Sequence, residues 1–282
     1  MTGYLEGILV VLCINAVLGY AAYLPLSIGQ INLGIAGFMA IGAYTSAIVT
    51  NELGFPLVLG LLTAIAAAAL AATLIAYPVL RTTGIYLAFA TFALNEIVRS
   101  LFLNIELVGG AAGYPVAVYS GVLFPAAVAA VVTVLMIYSG ATRAHIVLAS
   151  VRSDEAVSDL FGVNIRLVQL IVFVVSAGLA GAGGSLYGHY FSFIEAQHFT
   201  VFLSITTILY VVVGGTRSVW GPIVGASIYT LLPELLRDSG EWRFVIFSAL
   251  IIAFIAFRPE GIVAPRSSGS AGLVARLVGR SR

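Results

Sequence analysis

Long apolar runs without an acidic or basic residue make up most of the chain. No Asp, Glu or Arg occurs between Glu6 and Glu52, nor within 53–80, 107–142 and 167–194. Each interval reaches or exceeds the roughly 20 residues that a helix needs to span a bilayer, and the first is long enough for two spans. The runs are continuously apolar instead of alternating, which disfavours a transmembrane β-barrel.

These runs predict an all-α, polytopic membrane helix bundle of about nine spans, with 8–10 compatible with the pattern. The stretch 24–32 is open to a re-entrant interpretation, and the segment 218–236 is short and contains proline. The predicted spans are 7–25, 28–49, 55–79, 84–106, 117–139, 167–188, 197–215, 218–236 and 242–257.

Composition agrees with this class and excludes several functions. Of the 282 residues, 61% are hydrophobic and 9% are charged, whereas soluble domains carry about 25% charged residues. All 13 basic residues are Arg, so the chain can form neither a Walker A phosphate loop nor a Schiff base, because both need Lys. Cys13 is the only cysteine and the three histidines lack ligand spacing. We therefore expect no disulfide, metal or cofactor, and no nucleic-acid partner.

The arginines also predict an orientation. With nine spans and a cytoplasmic C-terminus, two arginines (Arg237 and Arg243) fall outside and Arg99 falls within a span. Cytoplasmic segments are enriched in basic residues, and a bias of ten to two is what this rule expects. The N-terminus is then predicted to be extracytoplasmic. The ten arginines on the cytoplasmic side are Arg81, Arg143, Arg152, Arg166, Arg217, Arg258, Arg266, Arg276, Arg280 and Arg282.

A Ser-, Gly- and Arg-rich tail, 265–282, follows the predicted transmembrane domain, 1–264. We expect this tail to be cytoplasmic and disordered beside an anionic membrane surface. A short interfacial helix at 271–278 is the alternative.

The longest hydrophilic segment, 140–166, is predicted to be cytoplasmic and to carry a short amphipathic helix. Ser153 is placed to cap its start, with Asp154 and Glu155 in the first turn, where the helix dipole favours acidic residues. Gly162 is placed to end it. The segment is either a simple connection between two spans or a docking helix for a cytoplasmic partner. Its predicted apolar face consists of Ala156, Val157, Leu160 and Phe161.

Five stretches of the sequence, taken together and in order, carry a resemblance. The longest is VRSDEAVSDLFGVNIRLVQLIVFVVSAGLAGAGGSLYG, which covers the hydrophilic segment and the span after it. The others are GQINLGIAGFMAIGAYTSA, RTTGIYLAFATFALNEIVRS, VVVGGTRSVWGPIVGA and FRPEGI. Each is weak alone, but the ordered set covers most of residues 20–262 and is strong. It closely resembles the bacterial branched-chain amino-acid ABC transporter permeases, the LivM-type subunit most of all.

This resemblance implies the ABC importer permease fold and a chain that lacks its own ATPase. A homologous second permease, two cytoplasmic ATPase subunits and an extracytoplasmic solute-binding protein would complete such a system in the cell membrane. It further implies that the segment 152–164 couples the permease to the ATPase. The residues carried over to that role are Arg152, Asp154, Glu155, Ala156, Gly162 and Asn164.

The stretch LSIGQINLGIAGFMAIGAY, 26–44, places Gln30, Asn32 and four glycines inside an uncharged run. A phosphate-binding loop is excluded, because membrane segments flank the stretch and Lys is absent. Pro25 and the glycines weaken a helix, and broken helices at membrane depth occur only where protein buries them or a cavity adjoins them. Either the glycines serve tight packing, or the break places Gln30 and Asn32, with Tyr44 beyond them, beside the solute path.

Asn95, Glu96 and Arg99 lie inside the fourth predicted span. Glu96 and Arg99 are three residues apart, so they share a helix face and can pair. Charged groups within a membrane normally face a bundle interior or an aqueous cavity. These residues either stabilise helix packing, anchor the helix at the membrane interface, or line the translocation path. We treat all three as candidates for the path.

Small residues recur at helical spacing in SAGLAGAGGSLYGHY, 176–190, which favours close packing between membrane helices. Ser185 and His189 are four residues apart, the spacing that an intramembrane serine hydrolase could use. That function is disfavoured, because no Gly-x-Ser-x-Gly context or third orienting group accompanies them.

Three classes of function thus compete: an ABC importer permease subunit for branched-chain amino acids or related small polar solutes, a self-sufficient secondary transporter or channel, and an intramembrane enzyme. Composition alone permits the first two equally. The motif order and the absence of an ATP site favour the permease, a transport subunit that is not itself an enzyme.

Overall fold

The computed structural model describes residues 2–258 and 261–263, and within them the chain is helical almost throughout. The predicted tail, 265–282, lies outside the described residues. Nine helices of the described part occupy the nine predicted segments: α1 (Thr2–Ser27), α2 (Ile35–Asn51), α3 (Leu57–Val79), α4 (Ile85–Asn104), α5 (Leu123–Ala141), α8 (Ile165–Phe191), α9 (Val201–Gly214), α10 (Gly221–Leu235) and α11 (Arg243–Phe257).

The all-α membrane bundle is confirmed, whereas the count of nine spans stays a prediction. Within the described residues, α1, α3, α4, α5 and α8 are long and apolar enough to cross a membrane by length and composition. The other four helices have 14 to 17 residues each. At 1.5 Å per residue, such helices span about 21–26 Å, somewhat less than a typical hydrocarbon core.

Two further helices, α6 (Arg143–Ser153) and α7 (Glu155–Leu160), lie in the long hydrophilic segment. We call the end of the bundle that carries them the α7 end. The opposite end carries two short strands, β1 (Tyr114–Pro115) and β2 (Phe193–Ile194), which pair antiparallel, and we call it the β end.

Helix α8 lies at the centre of the bundle and packs against α1, α2 and α3. The small residues along it make this possible. A Cβ atom at Gly181 would lie 2.7 Å from the Ala64 carbonyl oxygen and 2.7 Å from the Ala68 Cβ of α3. A Cβ at Gly184 would meet the Met39 carbonyl oxygen of α2. The predicted close packing of this span is therefore confirmed, and it is the backbones that approach each other.

We predict that Gly181→Ala lowers the stability of the protein by at least about 1–3 kcal/mol, the usual cost of overpacking. The added methyl group would meet main-chain atoms of α3, which cannot move without displacing the helix. Thermal unfolding in detergent measures the effect. Gly3→Ala in α1 is the matched control, because nothing lies within 4 Å of a Cβ there. Equal unfolding midpoints for the two variants would contradict the prediction.

Candidate functional site

A non-helical segment separates α1 from α2 inside the bundle. The chain leaves the helix after Ser27 and re-enters it only at Ile35. The predicted break is therefore present, but its position differs from the prediction: Pro25 lies within α1, and the second helix begins seven residues later than expected. The sharp turn comes at Gly29, whose φ of +79° is open to glycine at little cost.

Side chains from neighbouring helices accept hydrogen bonds from the backbone of this segment and of the first turn of α2. The Leu33 N–H donates to Thr91 Oγ1 of α4 at 2.9 Å, and the Ala36 N–H donates to Ser204 Oγ of α9 at 2.9 Å. Thr91 and Ser204 are both fully buried. A buried N–H without a partner is costly, so these two hydroxyls make the break tolerable in a membrane.

Two predicted path residues, Asn32 and Asn95, are buried beside the break. Asn32 Oδ1 accepts from the Gly34 N–H at 2.8 Å, and Asn95 Nδ2 donates to the Phe199 carbonyl oxygen at 3.3 Å. Within the described residues, Asn32 Nδ2 and Asn95 Oδ1 have no hydrogen-bond partner. One free donor and one free acceptor thus lie buried beside the break.

The remaining path candidates lie apart from these two. Tyr44 is fully buried and stacks on Phe102 with ring centroids 4.3 Å apart. Gln30 is half-buried in the segment that follows α1. Glu96 and Arg99 form the predicted ion pair at 2.9 Å, with their side chains 36% and 29% exposed on the outer side of α4. The six residues are therefore not gathered around one cavity, and a path role for them stays a prediction.

A cavity of about 530 Å³ lies elsewhere, between α1, α8 and α9 towards the β end. None of the six path candidates lines it. Two helix faces form most of its wall, and each presents residues at the spacing i, i+3, i+4, i+7, which is one face of a helix. The first face consists of Val11, Ile14, Asn15 and Leu18 of α1, and the second consists of Leu203, Thr206, Thr207 and Tyr210 of α9.

These residues were not predicted as site residues from the sequence, because the pattern of each face is that of an ordinary buried helix face. The sequence feature by which they could have been recognised is the number of polar side chains on the α9 face. Three of its four members carry hydroxyl groups in a segment otherwise rich in aliphatic residues.

The hydrophilic segment differs from its predicted form at the start. Ser153 does not cap the docking helix; it ends α6, where its hydroxyl donates to the Ala149 carbonyl oxygen at 2.9 Å. Asp154 is the cap of α7, and its Oδ1 accepts from the Val157 N–H at 3.0 Å. The extended backbone at Asp154 allows this, and a carboxylate there also favours the positive helix end.

The end of α7 is as predicted. Gly162 has φ of +83° and follows the last turn, where a residue with a side chain would be strained. Asn164 then caps α8, its Oδ1 accepting from the Leu167 N–H at 3.1 Å. Because α7 has a defined cap and stop at either end, it is held as a short separate element between α6 and α8.

The predicted apolar face of α7 has no cover within the described chain. Leu160 is 87% exposed and Phe161 is 84% exposed, and Val157 and Ala156 are exposed beside them. Glu155 points the other way: its Oε1 accepts from Gln169 Nε2 of α8 at 3.3 Å. Two large apolar side chains thus project from a short, capped helix at the α7 end.

Arg152 faces inward rather than outward from this segment. Its guanidinium donates to the Thr216 carbonyl oxygen at 3.1 Å and to Thr216 Oγ1 at 3.0 Å, in the turn between α9 and α10. Burial, and then the nearby charge of Arg217, lower the pKa of the Arg152 guanidinium from its ordinary value. The group nevertheless stays charged, because an arginine does not lose its proton in proteins. The two hydrogen bonds offset part of its desolvation.

The hydrolase alternative finds no support in this geometry. His189 is fully buried near the end of α8. Its Nε2 lies 3.0 Å from Ser46 Oγ and its Nδ1 lies 2.9 Å from the Val118 carbonyl oxygen. Both nitrogens are thus engaged, and neither is engaged by Ser185.

Comparison with known proteins supplies the family. The model of the family described as branched-chain amino acid transport system / permease component matches residues 4–255. The chain belongs to this family. Its match extends from near the start of α1 to α11 and includes the break, the cavity and the hydrophilic segment.

The individual relatives of this chain are proteins named as LivM and LivH permeases. It is 30% identical over 271 residues to the high-affinity branched-chain amino acid transport system permease protein LivM of Escherichia coli, and 30% identical over 273 residues to LivM of Salmonella typhimurium. These matches cover 83% of this chain, which spans 64% of the length of either relative. The chain is also 27% identical over 112 residues to the permease protein LivH of Escherichia coli, a match that covers 39% of this chain and 36% of LivH. No solved structure matches the chain.

We predict that Thr91→Val destabilises this permease-family chain by about 1–3 kcal/mol. Valine keeps the shape but removes the acceptor of the Leu33 N–H, which then stays unpaired in the bundle. Thermal unfolding in detergent measures the loss. Thr73→Val is the control, because the exposed Thr73 hydroxyl bonds only the carbonyl oxygen one turn earlier in its own helix, α3. A Thr91→Val protein as stable as the control variant would refute this account of the break.

Proposed function

We propose that this chain is a multi-pass permease subunit of an ATP-binding-cassette importer in the inner membrane, and that it moves branched-chain amino acids. The observation that carries the proposal is the exposed apolar face of α7, on a capped helix at the α7 end. Large exposed apolar side chains on a rigid element are typical of a protein interface. The absence of Lys agrees with ATP hydrolysis on a partner chain.

The proposed assembly has four kinds of component. This chain pairs with a homologous second permease, two cytoplasmic ATPase subunits bind at the α7 end, and an extracytoplasmic solute-binding protein delivers the solute at the β end. Similarity to both LivM and LivH, each named as a permease protein of a branched-chain amino acid system, supports the pair and the solute. The arginine bias supports a cytoplasmic α7 end and an extracytoplasmic N-terminus.

Within this assembly we assign two different roles to the coupling residues. Leu160 and Phe161 contact the ATPase, because they are the most exposed large apolar side chains of α6 and α7 and the turn that follows. Asp154, Gly162 and Asn164 shape the element that carries them.

The ATPase contact predicts the outcome of a charge substitution. Leu160→Glu combined with Phe161→Glu should reduce both ATPase co-purification and ATP-dependent leucine uptake about tenfold or more, because an apolar contact would be replaced by two charges. Co-purification from membranes and uptake into reconstituted vesicles measure the effect. Leu107→Glu is the matched control: Leu107 is 91% exposed but lies between α4 and β1, towards the β end. Undiminished co-purification in the double variant would refute the interface.

The same vesicles discriminate the alternative of a self-sufficient secondary transporter or channel. The proposal requires that this chain, reconstituted without ATPase subunits, moves no leucine under an ion gradient. Uptake by the chain alone would establish the alternative.

Arg152 is assigned a different role, which is to link α7 to the turn between α9 and α10. Arg152→Lys should leave ATPase co-purification unchanged while lowering leucine uptake several-fold, because an ammonium cannot reproduce both guanidinium contacts with Thr216. Arg217→Lys, at an exposed neighbouring arginine, is the control. If Arg152→Lys lost the ATPase as the α7 variants do, Arg152 would belong to the interface instead.

A further inference from the structure

We propose that the cavity between α1, α8 and α9 is the site in this chain where a branched-chain amino acid, as a zwitterion, enters from the β end. This inference rests on the proposed function and names the place at which the solute is held. It moves the solute site away from the polar residues that sequence reasoning favoured.

The position of the cavity suits a solute that enters from the β end. The mouth of the cavity includes Gln197 and His198, which lie in the short 3-10 turn after β2 at the β end. The wall then runs along α9 to Tyr210, nine residues past the start of that helix. At 1.5 Å per residue, this corresponds to a depth of about 14 Å. The cavity thus leads from the β end towards the middle of the bundle, and it does not reach the α7 end.

The volume of the cavity and the absence of charged residues from its lining suit a small zwitterion. The volume of about 530 Å³ falls in the range of about 300–1,000 Å³ that is common for small-molecule sites. None of the lining residues is Asp, Glu, Lys or Arg. A neutral lining disfavours a solute with net charge, because desolvation of that charge would go uncompensated. A zwitterion carries no net charge and needs only local donors and acceptors.

The lining offers both an apolar surface and polar groups, as such a solute requires. Val11, Ile14 and Leu18 of α1, with Met39 and Leu203, provide an aliphatic surface for a branched side chain.

The polar part offers both kinds of hydrogen-bonding group. Thr207 Oγ1 donates its proton to the Ser204 carbonyl oxygen at 2.7 Å, and Thr206 Oγ1 donates to the Phe202 carbonyl oxygen. Their lone pairs are left to accept from an ammonium group. The Tyr210 hydroxyl and the Gln197 amide add donors suited to a carboxylate.

Amino-acid access to this cavity can be tested by labelling a cysteine placed within it. Cys13 is buried and does not line the cavity, so Cys13→Ala provides the background. Thr206→Cys is introduced into this background, and the complete transporter, with its second permease and ATPase subunits, is reconstituted in vesicles. A membrane-impermeant methanethiosulfonate is added from the β-end side, with and without saturating leucine supplied by the binding protein.

We expect Thr206→Cys, at a partly exposed position of the lining, to react and leucine to slow the reaction about tenfold or more, whereas aspartate should leave the rate unchanged. Thr207→Cys, deeper in the wall, is a second labelling position, should the first variant not assemble. Thr73→Cys is the control. Its side chain lies on the outer surface of α3 and should face lipid, where the thiolate does not form.

Two results would overturn the proposal. Absence of labelling at both Thr206→Cys and Thr207→Cys in the assembled transporter would mean that lipid or the second permease fills the cavity. Labelling that leucine does not slow would mean that the solute passes elsewhere. ATP-dependent leucine uptake by the Cys13→Ala transporter is measured in parallel. If leucine is taken up but does not slow labelling of the cysteine, only the cavity assignment is refuted. If the unmodified transporter takes up no leucine, the proposed function itself is refuted.

Discussion

The close approach of α8 to α2 and α3 is the constraint on which the rest of the bundle depends. A Cβ at Gly184 would meet the Met39 carbonyl oxygen, and a Cβ at Gly42 would meet the backbone of Gly181, so side chains are excluded from both surfaces. Lipid tails are as apolar as leucine, and helices in a bilayer therefore associate through dense packing and polar contacts more than through hydrophobic burial. Small residues on α8 provide that packing, and they fix where α2 can lie.

The position of α2 in turn allows the break before it. Because α8 and α4 hold this helix on either side, the backbone of residues 29–34 lies against polar side chains that can accept its N–H groups. The buried hydroxyls of Thr91 and Ser204 pair one N–H group of the break and one of the first turn of α2. The same segment in contact with lipid would cost several kcal/mol for each unpaired group. The irregular backbone is thus a product of the packing and does not by itself indicate a solute path.

The sequence predicted the architecture well but did not predict the cavity, for a physical reason. Apolar length, the glycines of α8 and the Gly162 stop are local features, and local rules predict them directly. Ser153 and Asp154 compete as caps within two residues, and the choice depends on where α6 ends, which the sequence does not specify. The cavity forms between α1 and α9, which lie far apart in sequence, so no local pattern of polar residues such as Asn32 and Asn95 predicts it.

Helix α9 connects three features of the molecule: the Arg152 contact, the start of α2 and the cavity. Its last turn leads into Thr216, which Arg152 holds from the base of the α7 segment. Its first turn carries Ser204, which accepts from the first turn of α2, and its middle carries Thr207, which lines the cavity. The helix is about 21 Å long at 1.5 Å per residue and packs along α10 so closely that Gly225 leaves no space for a side chain beside Tyr210. Through α9 and the turn after it, the Arg152 contact, the cavity wall and the hydroxyl that supports the start of α2 are thus parts of one continuous stretch of chain.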